Sequence, residues 1–155
     1  MHRGFTTLEL LLTIAVLGLT AATVFLPLAA MQGRSALQDG ATGLVDTLRR
    51  AETQALSGYY GDKWGIHLSA SDGCALPASA YHIFRGGFFA SATDTIDSIS
   101  LPNTVMITAL SIGGGCDVKF DRYSGSTTST GTITLTGPTG ASTISINAYG
   151  RIFQQ

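Results

Sequence analysis

The stretch Gly4-Phe5-Thr6-Thr7-Leu8-Glu9-Leu10-Leu11-Leu12-Thr13-Ile14-Ala15-Val16-Leu17-Gly18-Leu19 decides the fold. It opens an apolar run, residues 5–31, in which Glu9 is the only fully charged side chain. These 27 residues are long enough, at about 1.5 Å of helical rise per residue, to cross a hydrocarbon core of about 30 Å. The sequence therefore predicts a transmembrane helix over residues 5–31, with one acid near its start and only residues 1–4 in front of it.

Glu9 is energetically unfavourable in such a helix. A carboxylate at the centre of a membrane helix costs about 2.5–3.5 kcal/mol, and less towards the ends, so it is usually functional and has a partner.

Gly4, Phe5 and Glu9, with the apolar residues that follow, resemble the amino terminus of type IV prepilins and type II secretion pseudopilins. The resemblance implies that residues 1–4 are a leader, that a prepilin peptidase cuts between Gly4 and Phe5, and that Phe5 is N-methylated. It also implies that Glu9 sets the register of assembly. The Phe5 amine that cleavage exposes would lie one helical turn from Glu9, and in a bundle of parallel helices the Glu9 carboxylate of one copy would neutralise this amine of a neighbour. The partners would be the inner (cytoplasmic) membrane, crossed once with the head outside the cytoplasm, and then other pilin or pseudopilin subunits in an extracellular or periplasmic filament. Arg3 on the cytoplasmic side agrees with the positive-inside bias.

Three other interpretations of this segment stay open. A secretory signal peptide usually has an apolar region of about 7–15 residues and a small-residue cleavage site. Residues 5–31 are longer and contain an acid, although Ala29-Ala30-Met31 could serve as such a site. An uncleaved single-span anchor for a β domain is the second alternative. A buried helix of a soluble protein is the least favoured, because the rest of the chain has little apolar surface to cover it.

From residue 32 to 57 the apolar residues recur at steps of three and four, as in an amphipathic helix. The stripe consists of Leu37, Ala41, Leu44, Val45, Leu48, Ala51, Ala55 and Leu56. Gly58 and Gly61 mark its end, so one helix over about residues 6–57 is predicted. Gly18 and Pro27 interrupt its first half, where a proline usually kinks a helix.

After residue 57 the apolar residues alternate with polar ones, as in half-buried strands. Strands are predicted over 63–68, 80–85, 95–100, 104–110, 116–121, 131–136, 142–147 and 149–153, with a tight turn at Gly137-Pro138-Thr139-Gly140. One long helix followed only by strands indicates an α+β fold. The second half of the helix is expected to pack on one face of an antiparallel sheet, and residues 58–155 to form a globular head.

The end of the chain resembles the GspH/FimT-like branch of the same family. The residues that carry this resemblance are Phe120, Gly125, the Thr-rich hairpin over 132–146, and Gly150-Arg151-Ile152. Some members of that branch bind DNA, so a minor pilin that binds DNA or a surface is an alternative function. The formal net charge is −1, and the cations of the sheet region are few. Those that could converge are Arg85, Lys119, Arg122 and Arg151. Phosphate-tracking surfaces need clustered cations, so nucleic acid is a possible but not a favoured partner.

Cys74 and Cys116 are the only cysteines, 42 positions apart in the part of the chain that would face an oxidising compartment. They predict either one disulfide or two unpaired buried thiols. Two distant cysteines without a neighbouring histidine pattern do not indicate a metal site.

No residues form a recognisable catalytic pattern. His67 and His82 fall in predicted strands, where half-exposed strand residues are more common than ligands or bases. Asp117 and Asp121 share one face of a strand, but two carboxylates do not indicate calcium. The aromatic pairs Tyr59-Tyr60 and Phe88-Phe89 could belong to the core or contact partner subunits, and the core is favoured. The resemblance therefore implies a structural subunit, of the minor type, of a type IV pilus or a type II secretion pseudopilus, and the residues indicate no enzymatic activity, cofactor or metal.

Overall fold

The structure, a computed structural model, describes residues 6–71 and 73–155. The side chains of residues 23–30 and 91 are not described. The described part of the chain consists of one long helix, α1, followed by strands β1 to β8. The bounds are α1 Thr7–Leu56, β1 Trp64–His67, β2 Ala80–Arg85, β3 Asp94–Ser100, β4 Met106–Ile112, β5 Asp117–Phe120, β6 Gly131–Gly137, β7 Gly140–Ile146 and β8 Ile152–Gln154.

The bounds of α1 confirm the predicted helix over residues 6–57. Thr6 is its N-cap, and Gly58, with φ of 64°, follows its C-cap residue. A left-handed residue directly after a helix is typically glycine, because a Cβ is unfavourable there. The range of α1 includes Gly18 and Pro27, so neither residue ends the helix.

The predicted membrane span, residues 5–31, begins at Phe5, which lies outside the described residues. No helix within residues 6–71 and 73–155 has both the length and the apolar character that a membrane crossing requires.

The strands form two four-stranded antiparallel sheets rather than one. The first sheet has the order β3-β2-β1-β5, and the second has the order β4-β6-β7-β8. The predicted hairpin is present in the second sheet, where Gly137 pairs with Gly140. Antiparallel pairing is thus confirmed, whereas the expectation of a single sheet is wrong. Alternation identifies the buried face of a strand, but it does not say which strands pair.

The second half of α1 packs against both sheets and closes one core. Six residues of the predicted stripe are buried there, and they are Ala41, Leu44, Val45, Leu48, Ala51 and Ala55. Each sheet contributes apolar side chains to the same cluster, Ile66, Ile83 and Val118 from the first and Ile133, Leu135 and Ile144 from the second. Leu37 is half-buried at the edge of this core. Leu56 is the last residue of the helix and is exposed, although it lies beside the turn at Gly125. Its predicted place in the buried stripe is therefore wrong.

Candidate functional site

The most unusual surface of the molecule is the amino-terminal part of α1, residues 6–22, which we call the stem. Every stem residue is exposed. Eight of its side chains are large and apolar, with exposed fractions between 51% and 73%. They are Leu8, Leu10, Leu11, Leu12, Ile14, Val16, Leu17 and Leu19. At about 1.5 Å of rise per residue the stem is about 25 Å long.

The head contacts α1 at Gly33. A Cβ at this position would lie 3.0 Å from the Thr139 Cγ2 atom and 3.6 Å from the Pro138 Cβ atom, both at the tip of the β6–β7 hairpin. About two turns later, Gly40 is buried against Val105. The small residues at 33 and 40 therefore let the helix approach the second sheet closely, and the stem lies on the amino-terminal side of this contact.

Glu9 takes part in a capping box at the start of the stem. The Thr6 Oγ1 atom accepts a hydrogen bond from the Glu9 N–H at 3.3 Å, and the Glu9 Oε2 atom accepts from the Thr6 N–H at 3.5 Å. Both bonds satisfy donors that the first turn of a helix leaves without partners. Gly4 and Phe5, the predicted cleavage and methylation positions, lie outside the described residues.

This capping role was not among the predictions for Glu9, although the sequence contains its signal. A threonine followed three positions later by glutamate, just before an apolar run, is the usual pattern of a capping box. Glu9 thus has a local role within one chain, besides the predicted role between chains.

Cys74 and Cys116 form a disulfide, the first of the two alternatives left open by the sequence. Their Cα atoms are 5.4 Å apart, within the range that disulfides usually span. The bond joins the loop between β1 and β2 to the residue directly before β5. It therefore links the chain at the end of the first sheet where His67 of β1 pairs with Asp117 of β5.

His67 is buried on the outer face of the first sheet, so the prediction that it is half-exposed is wrong. Its Nδ1 atom lies 2.6 Å from the Asp117 Oδ1 atom, and its Nε2 atom lies 2.8 Å from the Ser71 carbonyl oxygen. The ring of Phe89 covers it, with centroids 4.2 Å apart and planes 7° from parallel. His82, its cross-strand neighbour on β2, is half-buried under the same ring at 5.3 Å.

Three of the four aromatic residues expected in the core are on the surface. Tyr59, Tyr60 and Phe88 are exposed, whereas Phe89 is half-buried over the histidines. Tyr60 has a left-handed backbone, with φ of 59°, in the turn that connects α1 to β1. The prediction of a core role is wrong for these three residues because they lie in connections, where the chain leaves the buried faces of helix and sheet.

The cations considered for nucleic-acid binding mostly lie over aromatic rings. Arg85 lies over Tyr60, Lys119 over Phe88 and Arg122 over Tyr123, at 3.7 to 4.5 Å from the ring centroids. Arg85 also pairs with the Asp94 carboxylate, and Lys63 lies 2.6 Å from that of Asp121. Arg151 is exposed in the connection before β8, where its backbone N–H donates to the Asn147 Oδ1 atom. Nearby carboxylates therefore offset part of the positive charge of the first sheet.

No group of three or more His, Cys, Asp or Glu side chains within residues 6–71 and 73–155 is arranged to hold a metal ion. Asp117 and Asp121 serve different contacts, one with His67 and the other with Lys63. The site that remains to be explained is the stem.

Comparisons with protein-family models, with curated proteins and with solved structures found no match to this chain.

Proposed function

We propose that the chain is a structural subunit, of the minor type, in a type IV pilus or a type II secretion pseudopilus. It is made as a prepilin, cut after Gly4 by a prepilin peptidase and N-methylated at Phe5. Before assembly, residues 5–31 lie in the inner membrane with the head outside the cytoplasm. After assembly, the stems of many copies form the centre of a filament and the heads form its surface.

The single observation that carries this proposal is the exposed apolar stem. Burying a large aliphatic side chain contributes about 1.5–3 kcal/mol. Covering the eight apolar side chains, each more than half exposed, would therefore contribute on the order of 10 kcal/mol. A monomer in water cannot gain this free energy, whereas parallel stems or lipid would supply it. The membrane stage rests on the sequence of residues 5–31, part of which lies outside the described side chains.

The head supports a structural role because one buried core and a disulfide hold its parts together. One core joins α1 to both sheets, and the disulfide ties the loop after β1 to β5. A rigid head on an apolar stem is what a filament subunit needs, since it must keep its shape while only the stem changes its surroundings.

Nucleic-acid binding is not the function that the observations favour. Phosphate binding gains most from clustered, unpaired cations, whereas Arg85 and Lys63 already have carboxylate partners. A filter-binding assay would show salt-dependent retention of DNA if the alternative held.

The processing step is tested by the mass of the purified mature protein. Loss of residues 1–4 together with one added methyl group is the expected result. An intact amino terminus would contradict the proposal and would favour an uncleaved anchor, and a cut after Met31 would favour a secretory signal peptide.

Assembly is tested by two substitutions at Glu9 that separate its charge from its cap. Glu9→Gln keeps an acceptor for the capping box, because glutamine also serves there, but it removes the charge. Glu9→Ala removes both. If the carboxylate pairs with the Phe5 amine of a neighbour, both variants insert into the membrane and neither enters filaments.

Thr6→Ala is the matched control, because it removes the cap and keeps the charge. Pelleting of sheared filaments measures incorporation. Normal filaments from Glu9→Gln, with loss in both Glu9→Ala and Thr6→Ala, would leave Glu9 with a capping role only.

A further inference from the structure

The side of α1 that faces away from the sheets carries a stripe of charged side chains. Asp39, Asp46 and Arg50 are all exposed. At about 100° of turn per residue, the three lie within about 40° of one another around the helix axis, opposite the buried residues Leu44 and Leu48. Because the head covers the buried side of the helix, a neighbouring molecule can approach this stripe.

Asp46 and Arg50 are four positions apart, the spacing at which opposite charges on one helix usually meet. The ion pairs among residues 6–71 and 73–155 nevertheless include neither side chain. By contrast, the Asp39 Oδ2 atom accepts a hydrogen bond from the Ser35 Oγ atom at 3.2 Å. The acid at 46 and the base at 50 are therefore available to another molecule.

The contact proposed for Glu9 defines a register between parallel copies. If the Glu9 carboxylate of one copy reaches the Phe5 amine of the next, the second copy is shifted along the helix axis by four residues, about 6 Å. The same shift brings residue 46 of the second copy level with residue 50 of the first. An acid then meets a base near both ends of α1, with Glu9 beside the Phe5 amine and Arg50 beside Asp46.

This match is specific to one pair of charges. Over residues 32–56 the acids are Asp39, Asp46 and Glu52, and the bases are Arg34, Arg49 and Arg50. Among these six, only Asp46 and Arg50 are an acid and a base four positions apart. They lean to opposite sides of Asp39 by about 20° each. One side of the stripe can therefore face the copy before it, and the other side can face the copy after it.

Given the proposed function, we propose that Arg50 of one copy pairs with Asp46 of the next, and that this contact and the one at Glu9 together fix the axial register of assembled subunits. Exposed ion pairs add little free energy. The stem therefore drives association, and the pair at 46 and 50 selects one register among several. Like charges at this contact would repel between every two successive copies.

Charge reversal in two different chains tests the proposal. Asp46→Arg and Arg50→Asp are produced as full chains with different epitope tags, in a host that makes filaments but lacks the wild-type copy. Each variant alone brings like charges together, and we expect about fivefold less of it than of the wild type in pelleted, sheared filaments. Produced together, the two chains can alternate, because the new arginine of one faces the new aspartate of the other and the native charges face each other at the next contact. Both tags should then return to near wild-type amounts.

An ion pair within one chain cannot give this rescue, because each variant keeps like charges at 46 and 50 whatever its neighbour carries. Asp39→Arg is the matched control, since it makes the same charge change on the same stripe. In the proposed register its neighbours are the uncharged Ser35 and Gly43. It should enter filaments alone and should not rescue Arg50→Asp. Rescue by Asp39→Arg in place of Asp46→Arg would overturn the proposed register.

The Glu9 variants test the proposed function separately, so the two can fail independently. Normal filaments from both single charge reversals would overturn the pairing and leave the proposed function standing. Loss of both without rescue in the mixture would assign the charges to a partner other than a second copy, and would overturn the pairing as well.

If a charge-reversed chain does not accumulate, crosslinking replaces it. Full chains with Asp46→Cys and with Arg50→Cys, produced together, should be joined in filaments by a short bismaleimide, because the native cysteines are held in their disulfide. Asp39→Cys with Arg50→Cys should be joined far less, since these positions lie about 10 Å apart along the axis in the proposed register. Equal yields of the two crosslinks would contradict the pairing.

Discussion

Gly65 shows how closely the residues of the first sheet pack. A Cβ at this position would lie 2.7 Å from the Phe84 Cζ atom and 2.7 Å from the Val118 carbonyl oxygen. This carbonyl lies in β5, which pairs with β1, so moving it away would disturb the pairing of the two strands. We expect Gly65→Ala to lower the free energy of unfolding by about 1–3 kcal/mol, measured by urea denaturation.

Gly87→Ala is the control for this prediction, because a Cβ there has no neighbour within 4 Å. Its effect should stay within about 0.5 kcal/mol. Equal stability of the two variants would mean that the rings and backbone over Gly65 adapt more easily than the packing indicates.

Tyr81 gives the core a dependence on alkaline pH. Thr47 Oγ1 donates to the Gly43 carbonyl at 2.8 Å, so the Tyr81 hydroxyl must donate to Thr47 across their 3.4 Å contact. Burial raises the pKa of Tyr81, and the negative charges of Asp46 and Asp97 act in the same direction. The unfolded chain therefore releases the proton first, and stability falls as pH rises above about 10.

We expect Tyr81→Phe to remove this alkaline loss and to cost about 0.5–1.5 kcal/mol at neutral pH through the missing hydrogen bond. Unfolding curves at pH 8 and at pH 11 measure both effects. A variant as sensitive to alkali as the wild type would assign the loss to other groups.

Among the elements, the disulfide is the strongest tie between distant parts of the chain. It closes a loop across a separation of 42 residues, for which the chain-entropy model gives about 4 kcal/mol. We expect the double variant Cys74→Ser, Cys116→Ser to lose stability of this order in urea denaturation. Reduced wild-type protein should behave like the variant, and an unchanged midpoint in both would show that β1, β2 and β5 hold together without the bond.

The element scale also shows what the sequence could predict. The three- and four-residue steps from Ala41 to Ala55 and the Gly137–Gly140 turn identify the helix and the hairpin because both signals are local. The pairing of β1 with β5 joins residues about fifty positions apart, and no local pattern encodes it. For that reason the second sheet was missed.

The errors at the candidate site have the same origin. His67 is buried because Phe89, from a connection after β2, covers a face of β1 that alternation alone assigns to solvent. Tyr60 is exposed because its left-handed backbone and the nearby Arg85 hold the ring outside the core. By contrast, the signal for the capping box at Thr6 and Glu9 is local and present in the sequence, although the prediction for Glu9 did not use it.

At the scale of the whole molecule, the stem and the head differ in where their apolar side chains lie: exposed on the stem and buried in the head. α1 supplies the core of the head from Gly40 onward, whereas residues 6–22 expose apolar side chains on every side. If self-association is driven by this apolar surface, a chain that begins at Gly33 should fold into the same head and stay monomeric. Its free energy of unfolding should lie within about 1 kcal/mol of that of the head in the full chain.

Analytical ultracentrifugation of the truncated and full-length chains, at equal detergent and protein concentrations followed by stepwise detergent removal, measures this difference. The full chain should form large assemblies as detergent is removed, and the truncated chain should sediment as a monomer throughout. A truncated chain that assembles as readily as the full one would move the assembly surface from the stem to the head. The exposed aromatic residues Tyr59, Tyr60 and Phe88 would then be the first positions to substitute.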